Sequence, residues 1–296
     1  MRNINKITII TLTYKNWHLL DKAITSVASQ ITNENFEMEY LIVDDGTKDF
    51  DIEYVVNILS GTHLNYRIIV NPENIGTVAS FNNAIRQSTG DIILPLSADD
   101  EFYDSNVVND IVAEFVSTGS YIVTGLRVPI LNAKECDPIP SKKQYEIFKD
   151  RRLLLKKIIK ENVVSGASTY YRREVFDIVG YFDVAYKLLE DYPFYIDVLS
   201  SGIDIHLFKR NVIKYGMSGV SSASSRNPIL QNDYLTLHNK ILTRSDLSNF
   251  ERREILYFKI FNKREKLKNA WRHPDLFVRM VCKKVLIVLT DKLFKN

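Results

Sequence analysis

Apolar positions along the chain follow two periods that alternate. Short runs rich in β-branched residues, at 6–13, 39–44, 67–70 and 92–96, read as strands. Between them the spacing lengthens to that of a helix. Leu19, Leu20, Ala23, Ile24 and Val27 share one helical face, as do Ile52, Val55, Val56 and Leu59. A third helix is predicted from about Thr77 to Ser88, with Thr89-Gly90 as its stop. Strands alternating with helices predict an α/β fold: a doubly wound, mostly parallel sheet with right-handed crossovers and helices on both faces.

Beyond residue 100 the same pattern predicts a helix at 105–115 and a strand at 121–128. Residues 132–150, with Pro138 and Pro140 among mixed charges, read as a loop that either closes over a ligand or is a solvated linker. Arg172 and Arg173 read as a charged first helical turn. Residues 203–208 alternate like an edge strand that 211–215 continue, and 215–228 are small and polar, as in a loop that orders over a ligand. In the tail, Phe277, Val281, Val285, Leu289 and Phe294 keep near-helical spacing. The expected organisation is a domain over 1–220, with halves 1–100 and 101–220, followed by a loop and basic helical extension over 221–296.

Composition narrows the class. Of 296 residues, 45% are hydrophobic and 25% charged, as in ordinary globular proteins. The net charge of +3 hides an asymmetry: residues 251–296 hold 13 basic and 5 acidic side chains, leaving 26 and 31 in the rest. A mildly acidic body speaks against nucleic acid as its main ligand. The basic tail suits either a helical cap or contact with an anionic membrane surface. Cys136 and Cys282 show no metal or redox spacing. A strand-like start and no apolar run near bilayer length predict a cytoplasmic protein, at most peripheral on the inner face of the plasma membrane.

The chemistry gathers where strands stop. Three of the first four strands end in polar groups: Thr13-Tyr14, Asp44-Asp45 and Ser97-Ala98-Asp99-Asp100. In a parallel sheet such ends share one edge, where ligands bind. Carboxylates there suit a hard divalent cation and a diphosphate chelated by it. Two acids in a solvated loop, with Asp104 or Ser105 capping the next helix, are the alternative for the last pair. Neither G-x-G-x-x-G after the first strand nor G-x-x-x-x-G-K-[ST] occurs, so a dinucleotide fold and a P-loop are unsupported.

Taken in order, Thr13-Tyr14, Val43-Asp44-Asp45-Gly46, Asn74-Ile75-Gly76 with Asn82, and Ser97-Ala98-Asp99-Asp100 resemble the motifs of the inverting GT-A glycosyltransferases of family 2. The resemblance covers about 6–220. It implies transfer of one sugar from a UDP-sugar to a saccharide or lipid-linked saccharide, commonly in bacterial surface polysaccharide synthesis. It implies Thr13, Tyr14 and Asp45 around the uracil, with Asp44 the second choice there. Asn74, Gly76, Asn82, Ser97 and Ala98 complete the implied nucleotide site. Asp99 is the implied ligand of Mn²⁺ or Mg²⁺. The segment from Asn162 to Asp183 is similar to the family's acceptor side, where Gly166 and Ser168 would let a sugar approach the backbone closely; Asp100 and Glu190 are the other implied acceptor-binding residues. Glu190-Asp191 stands where the family carries its E-D pair, so Asp191 is the implied general base; an acidic pair stabilising a helix N-terminus is the plainer reading.

Two positions depart from the family pattern. Ser97 stands where the first acid of D-x-D is usual, and Phe81 where a basic residue often precedes Asn82. Another cation or a helix N-terminus must then help to neutralise phosphate. The rival reading is a non-catalytic protein that binds a sugar nucleotide.

Overall fold

The computed structural model describes residues 4–32, 36–216 and 227–293. The chain divides into two compact units, Met1–Gln231 and Asn232–Asn296.

The first unit is built on one sheet. β1 (Lys6–Thr13), β2 (Glu37–Asp44), β3 (Asn65–Val70) and β4 (Ile92–Pro95) alternate with the helices α1 (Leu20–Ala28), α2 (Ile52–Ser60) and α3 (Thr77–Gln87). The four strands lie in the order β3-β2-β1-β4, all parallel. Their apolar runs are buried on both faces, as a covered parallel sheet requires: Ile7, Ile9, Leu41, Ile42, Ile92 and Ile93 have no exposed surface.

After β4 the chain makes the short β5 (Glu101–Phe102), α4 (Val107–Thr118), β6 (Ile122–Leu131), β7 (Lys134–Glu135) and α5 (Arg151–Lys160). Then come β8 (Thr169–Arg172), α6 (Glu174–Val179), α7 (Asp191–Ser200) and β9 (Ile205–Gly216). This half of the sheet is mixed. β8 runs antiparallel to both β4 and β6, while β9 runs parallel to β6. Within β9, residues 205–207 pair with β6 alone, as the edge-like alternation predicts, whereas Ile213 and Lys214 lie between β6 and the two-residue β5. Much of 132–150 is ordered too. A 3₁₀ helix over Lys142–Lys149 begins in a capping box between Ser141 and Gln144.

The two arginines expected in a first helical turn instead close other elements. Arg172 is buried in β8 and donates to the carbonyls of Phe115 and Ser120 at the end of α4. Arg173 donates to the carbonyls of Ile85 and Gly90 and to Ser88 Oγ, satisfying the C-terminal end of α3.

The second unit is helical, with α8 (Pro228–Leu242) leading into α9 (Asn249–Ile255), α10 (Lys263–Lys268) and α11 (Pro274–Leu293). Capping boxes at Ser248–Glu251 and Asn262–Glu265 start α9 and α10. Arg253 pairs with Asp275 at 2.6 Å, and Arg279 pairs with Glu254. Among the described residues no helix is long and apolar enough to cross a membrane.

Candidate active site

Strand register brings the three polar strand ends to one rim. Thr13 stands opposite Asp44 across β1 and β2, and the N–H of Asp45 donates to the Thr13 carbonyl at 2.9 Å. On the other side of β1, the Leu96 N–H donates to the Ile10 carbonyl at 3.0 Å, so the 97–100 loop leaves the sheet at the same edge. Tyr14 is 43% exposed there, with the Lys15 ammonium 4.9 Å from its ring. Thr13 Oγ1 donates to Asn16 Oδ1.

Asp45 is not a free acceptor. Its Oδ1 accepts from Asn71, the Ile75 N–H and Ser80 at 2.6–3.0 Å, and its Oδ2 from Asn74 and the Gly76 N–H at 2.9 and 3.0 Å. Five donors fill both oxygens, so this carboxylate shapes the 71–80 turn from beneath. Asn74 is thereby committed to Asp45. Asp44 differs: Oδ2 accepts from the Thr47 N–H at 2.7 Å, whereas Oδ1 is buried without a hydrogen-bond partner. Asn82 is committed as well, exchanging two hydrogen bonds with the backbone of Phe182. Phe81 stacks on Phe182 with ring centroids 5.3 Å apart.

In the carboxylate loop the side chains sit at graded depth. Ser97 is exposed, Ala98 buried, Asp99 half-buried and Asp100 wholly buried. Asp100 Oδ1 accepts from the Gly216 N–H at 2.8 Å, which ties the loop to the end of β9. A side chain at 216 has no room, because its Cβ would stand 2.3 Å from the Asp99 carbonyl oxygen. Burial, and then the neighbouring Asp99, push the Asp100 carboxyl up to about 8. Its Oδ2 is buried without a partner. With no exposed surface, Asp100 is an anchor for the loop rather than the expected acceptor contact. Among the described residues no three His, Cys, Asp or Glu side chains gather as a metal cage.

Further along the chain, α7 opens on Asp191. Pro193 in the first turn needs no N–H there, which suits a helix start. Asp191 Oδ1 accepts from the Tyr192 N–H at 2.6 Å. Its carboxylate rests on the short 3₁₀ turn Gly166–Ser168, so closely that a Cβ at 166 would lie 2.8 Å from Oδ2. Burial raises the pKa of Asp191, opposed by the Tyr192 and Gly166 N–H groups and the charge of Arg127. Ser168 is buried with its hydroxyl on the Gly125 carbonyl, and so fixes the turn instead of facing the cleft. Glu190, the residue before α7, is half-buried. The segment before α7 also touches the start of α3, where the Val78 N–H donates to the Lys187 carbonyl at 3.3 Å.

One feature escaped the sequence reading. Arg127 on β6 acts electrostatically on both Asp100 and Asp191, and its guanidinium lies 4.5 Å from the Tyr215 ring centroid. A strand pattern alone does not reveal where such a side chain points. The 215–228 loop expected over the diphosphate falls, for 217–226, outside the described residues.

Solved structures share this architecture. A mannosyltransferase from Pyrobaculum calidifontis, in complex with GDP-Man and Mn²⁺, superposes with TM-score 0.65 at 13% identity, covering 96% of this chain and 80% of that one. Residues 1–349 of TarS from S. aureus, in complex with UDP-GlcNAc, give TM-score 0.63 at 17% identity, covering 86% and 71%. In sequence, the chain is 24% identical to Glycosyltransferase AglE of Haloferax volcanii over 208 residues, 69% of this chain and 60% of AglE. It spans 43% of the longer TarS chain. The family model for glycosyl transferase family 2 matches residues 8–180, more than half the chain, and the protein belongs to that family.

Proposed function

We propose that the protein transfers a single sugar from a UDP-sugar to an acceptor hydroxyl with inversion at the anomeric carbon. The observation that carries this reading is the seating of Asp191: a buried carboxylate packed on the 166–168 turn, with its pKa raised by that burial. A general base needs a pKa nearer neutrality than an ordinary carboxylate has, and burial supplies that shift. In the proposed step Asp191 takes the proton of the acceptor hydroxyl as its oxygen bonds to the anomeric carbon. The bond from that carbon to the diphosphate oxygen breaks, and UDP departs with the electron pair. The relatives support a nucleotide-sugar donor, since TarS is recorded with UDP and UDP-GlcNAc and the mannosyltransferase with GDP-Man.

Tyr14 and Thr13 at the end of β1 would receive the base, and the 74–76 turn and 97–99 loop the ribose and diphosphate. The donor set fits a divalent cation. Asp99 is half-buried beside a second carboxylate with an unpartnered oxygen, and Mg²⁺ or Mn²⁺ commonly takes one or two carboxylates plus phosphate oxygens. Bound there, the cation would offset charge on the departing diphosphate. An acceptor of the saccharide or lipid-linked kind fits a tail carrying 13 basic residues, with Trp271 73% and Leu267 64% exposed. That tail would keep the enzyme on an anionic inner membrane face. Pelleting with anionic liposomes, with and without residues 270–296, tests the contact, and equal pelleting refutes it.

Thermal-shift and turnover measurements across UDP-, GDP- and dTDP-sugars with Mn²⁺ test the donor reading. Stabilisation and sugar loss with a UDP-sugar support it. Binding without turnover would favour the non-catalytic reading, and no stabilisation by any of the three would refute both.

A further inference from the structure

β6 carries a cation that the motifs did not announce. The register between β6 and β9 slips at Leu126/Arg127, so that Leu126 pairs with Asn211 but Arg127 with Ile213. On its other side the Arg127 backbone exchanges two 2.9 Å hydrogen bonds with Ile139. Bulges of this kind re-aim a side chain, and they cluster at functional sites. The guanidinium carbon lies over the Tyr215 ring, 4.5 Å from its centroid. Its Nε is buried with no hydrogen-bond partner.

A buried guanidinium donor without an acceptor is costly, and a ligand oxygen would relieve it. The charges around it narrow the choice of ligand. Arg127 stacks on Tyr215, whose neighbour Gly216 holds Asp100 of the carboxylate loop, and it follows closely on Gly125, whose carbonyl accepts from Ser168 on the turn that carries Asp191; its charge also favours the ionised form of Asp191. What must bridge those two places in a transferase is the phosphate that bears the anomeric oxygen. Planar guanidinium groups suit phosphate oxygens by geometry and charge. Two positions on α3 do not supply this cation: Phe81 stands where a basic residue is often found, and Arg86 is stacked over Tyr181 at 4.3 Å.

We propose that Arg127 binds the β-phosphate of the nucleoside diphosphate, its guanidinium donating to the oxygens that gain charge as the sugar leaves. This rests on the donor-site reading above. It assigns Arg127 to the leaving group, leaving the base to β1 and the acceptor proton to Asp191.

The test is equilibrium binding, by calorimetry with Mn²⁺, of UDP and UMP and of GDP and GMP to the full chain. Wild type should favour the diphosphate of one pair. Arg127→Met should weaken that diphosphate by about 10- to 100-fold, the loss of a charged hydrogen bond, and leave the monophosphate within about twofold. Arg127→Lys keeps the charge without the fork and should recover part of the loss; it serves equally if the apolar variant fails to fold. Unchanged diphosphate affinity in both variants, or equal weakening of mono- and diphosphate, would overturn the assignment of Arg127 alone. Wild type that binds none of the four would overturn the donor site as well.

Discussion

Gly166 and Asp191 are in direct contact: the space a Cβ would need at 166 is filled by the carboxylate, whose Oδ2 would lie 2.8 Å away. The small residue on the 3₁₀ turn and the acid opening α7 thus form one unit. Gly166→Ala must push the carboxylate aside. Displacement of a base by about 1 Å can cost on the order of 100-fold in rate. Turnover should therefore fall by about that factor with UDP affinity unchanged, as judged by steady-state kinetics beside calorimetry. Loss of UDP binding in parallel would show that the turn supports the nucleotide instead.

Asp45 should behave as a structural carboxylate. It holds five donors from 71–80, and removing it leaves several of them buried without acceptors. Asp45→Ala should lower unfolding stability by on the order of 3 kcal/mol, measured in urea. A variant as stable as wild type but unable to bind nucleotide would return Asp45 to the base-binding role that its motif suggests.

Arg173 makes a parallel case in the packing between elements. Its guanidinium satisfies two carbonyls and a hydroxyl at the end of α3. Arg173→Met should cost about 2 kcal/mol, since hydrogen bonds to charged groups are among the stronger ones. The same urea titration reads it, and catalysis per folded molecule should not change.

The rate should carry the signature of a deep base. Burial raises the pKa of Asp191, and a base works only when ionised, so activity should be lost on acidification at a pH above the ordinary carboxylate range. Arg127 favours the ionised form. Removing that charge in Arg127→Met should move the acid limb of kcat further up in pH. A limb that stays in place would place Arg127 outside the field of the base.

The parts legible in sequence were those written in local pattern. Alternating periods and polar strand ends announced the parallel half of the sheet and the rim those ends share, because both follow from neighbours within a few residues. Three things required the fold. The commitment of Asp45 depends on donors 26 to 35 positions away, which no motif displays. Arg172 and Arg173 looked like an exposed turn because adjacent charges before a helix usually are one; here they serve the ends of α4 and α3. The pairing of β5 with Ile213 and Lys214 at the end of β9 joins residues more than 100 positions apart, which alternation along one strand does not announce.

The most direct test of the site as a whole is Asp191→Asn, measured for nucleotide binding and for sugar transfer in the same preparation. The amide keeps the shape and the contact with the Tyr192 N–H but cannot take a proton. UDP affinity with Mn²⁺ should stay within about twofold while turnover falls by at least about 100-fold, the contribution expected of a general base. Transfer at the wild-type rate, or loss of UDP binding along with it, would contradict the placement of the base opposite the donor.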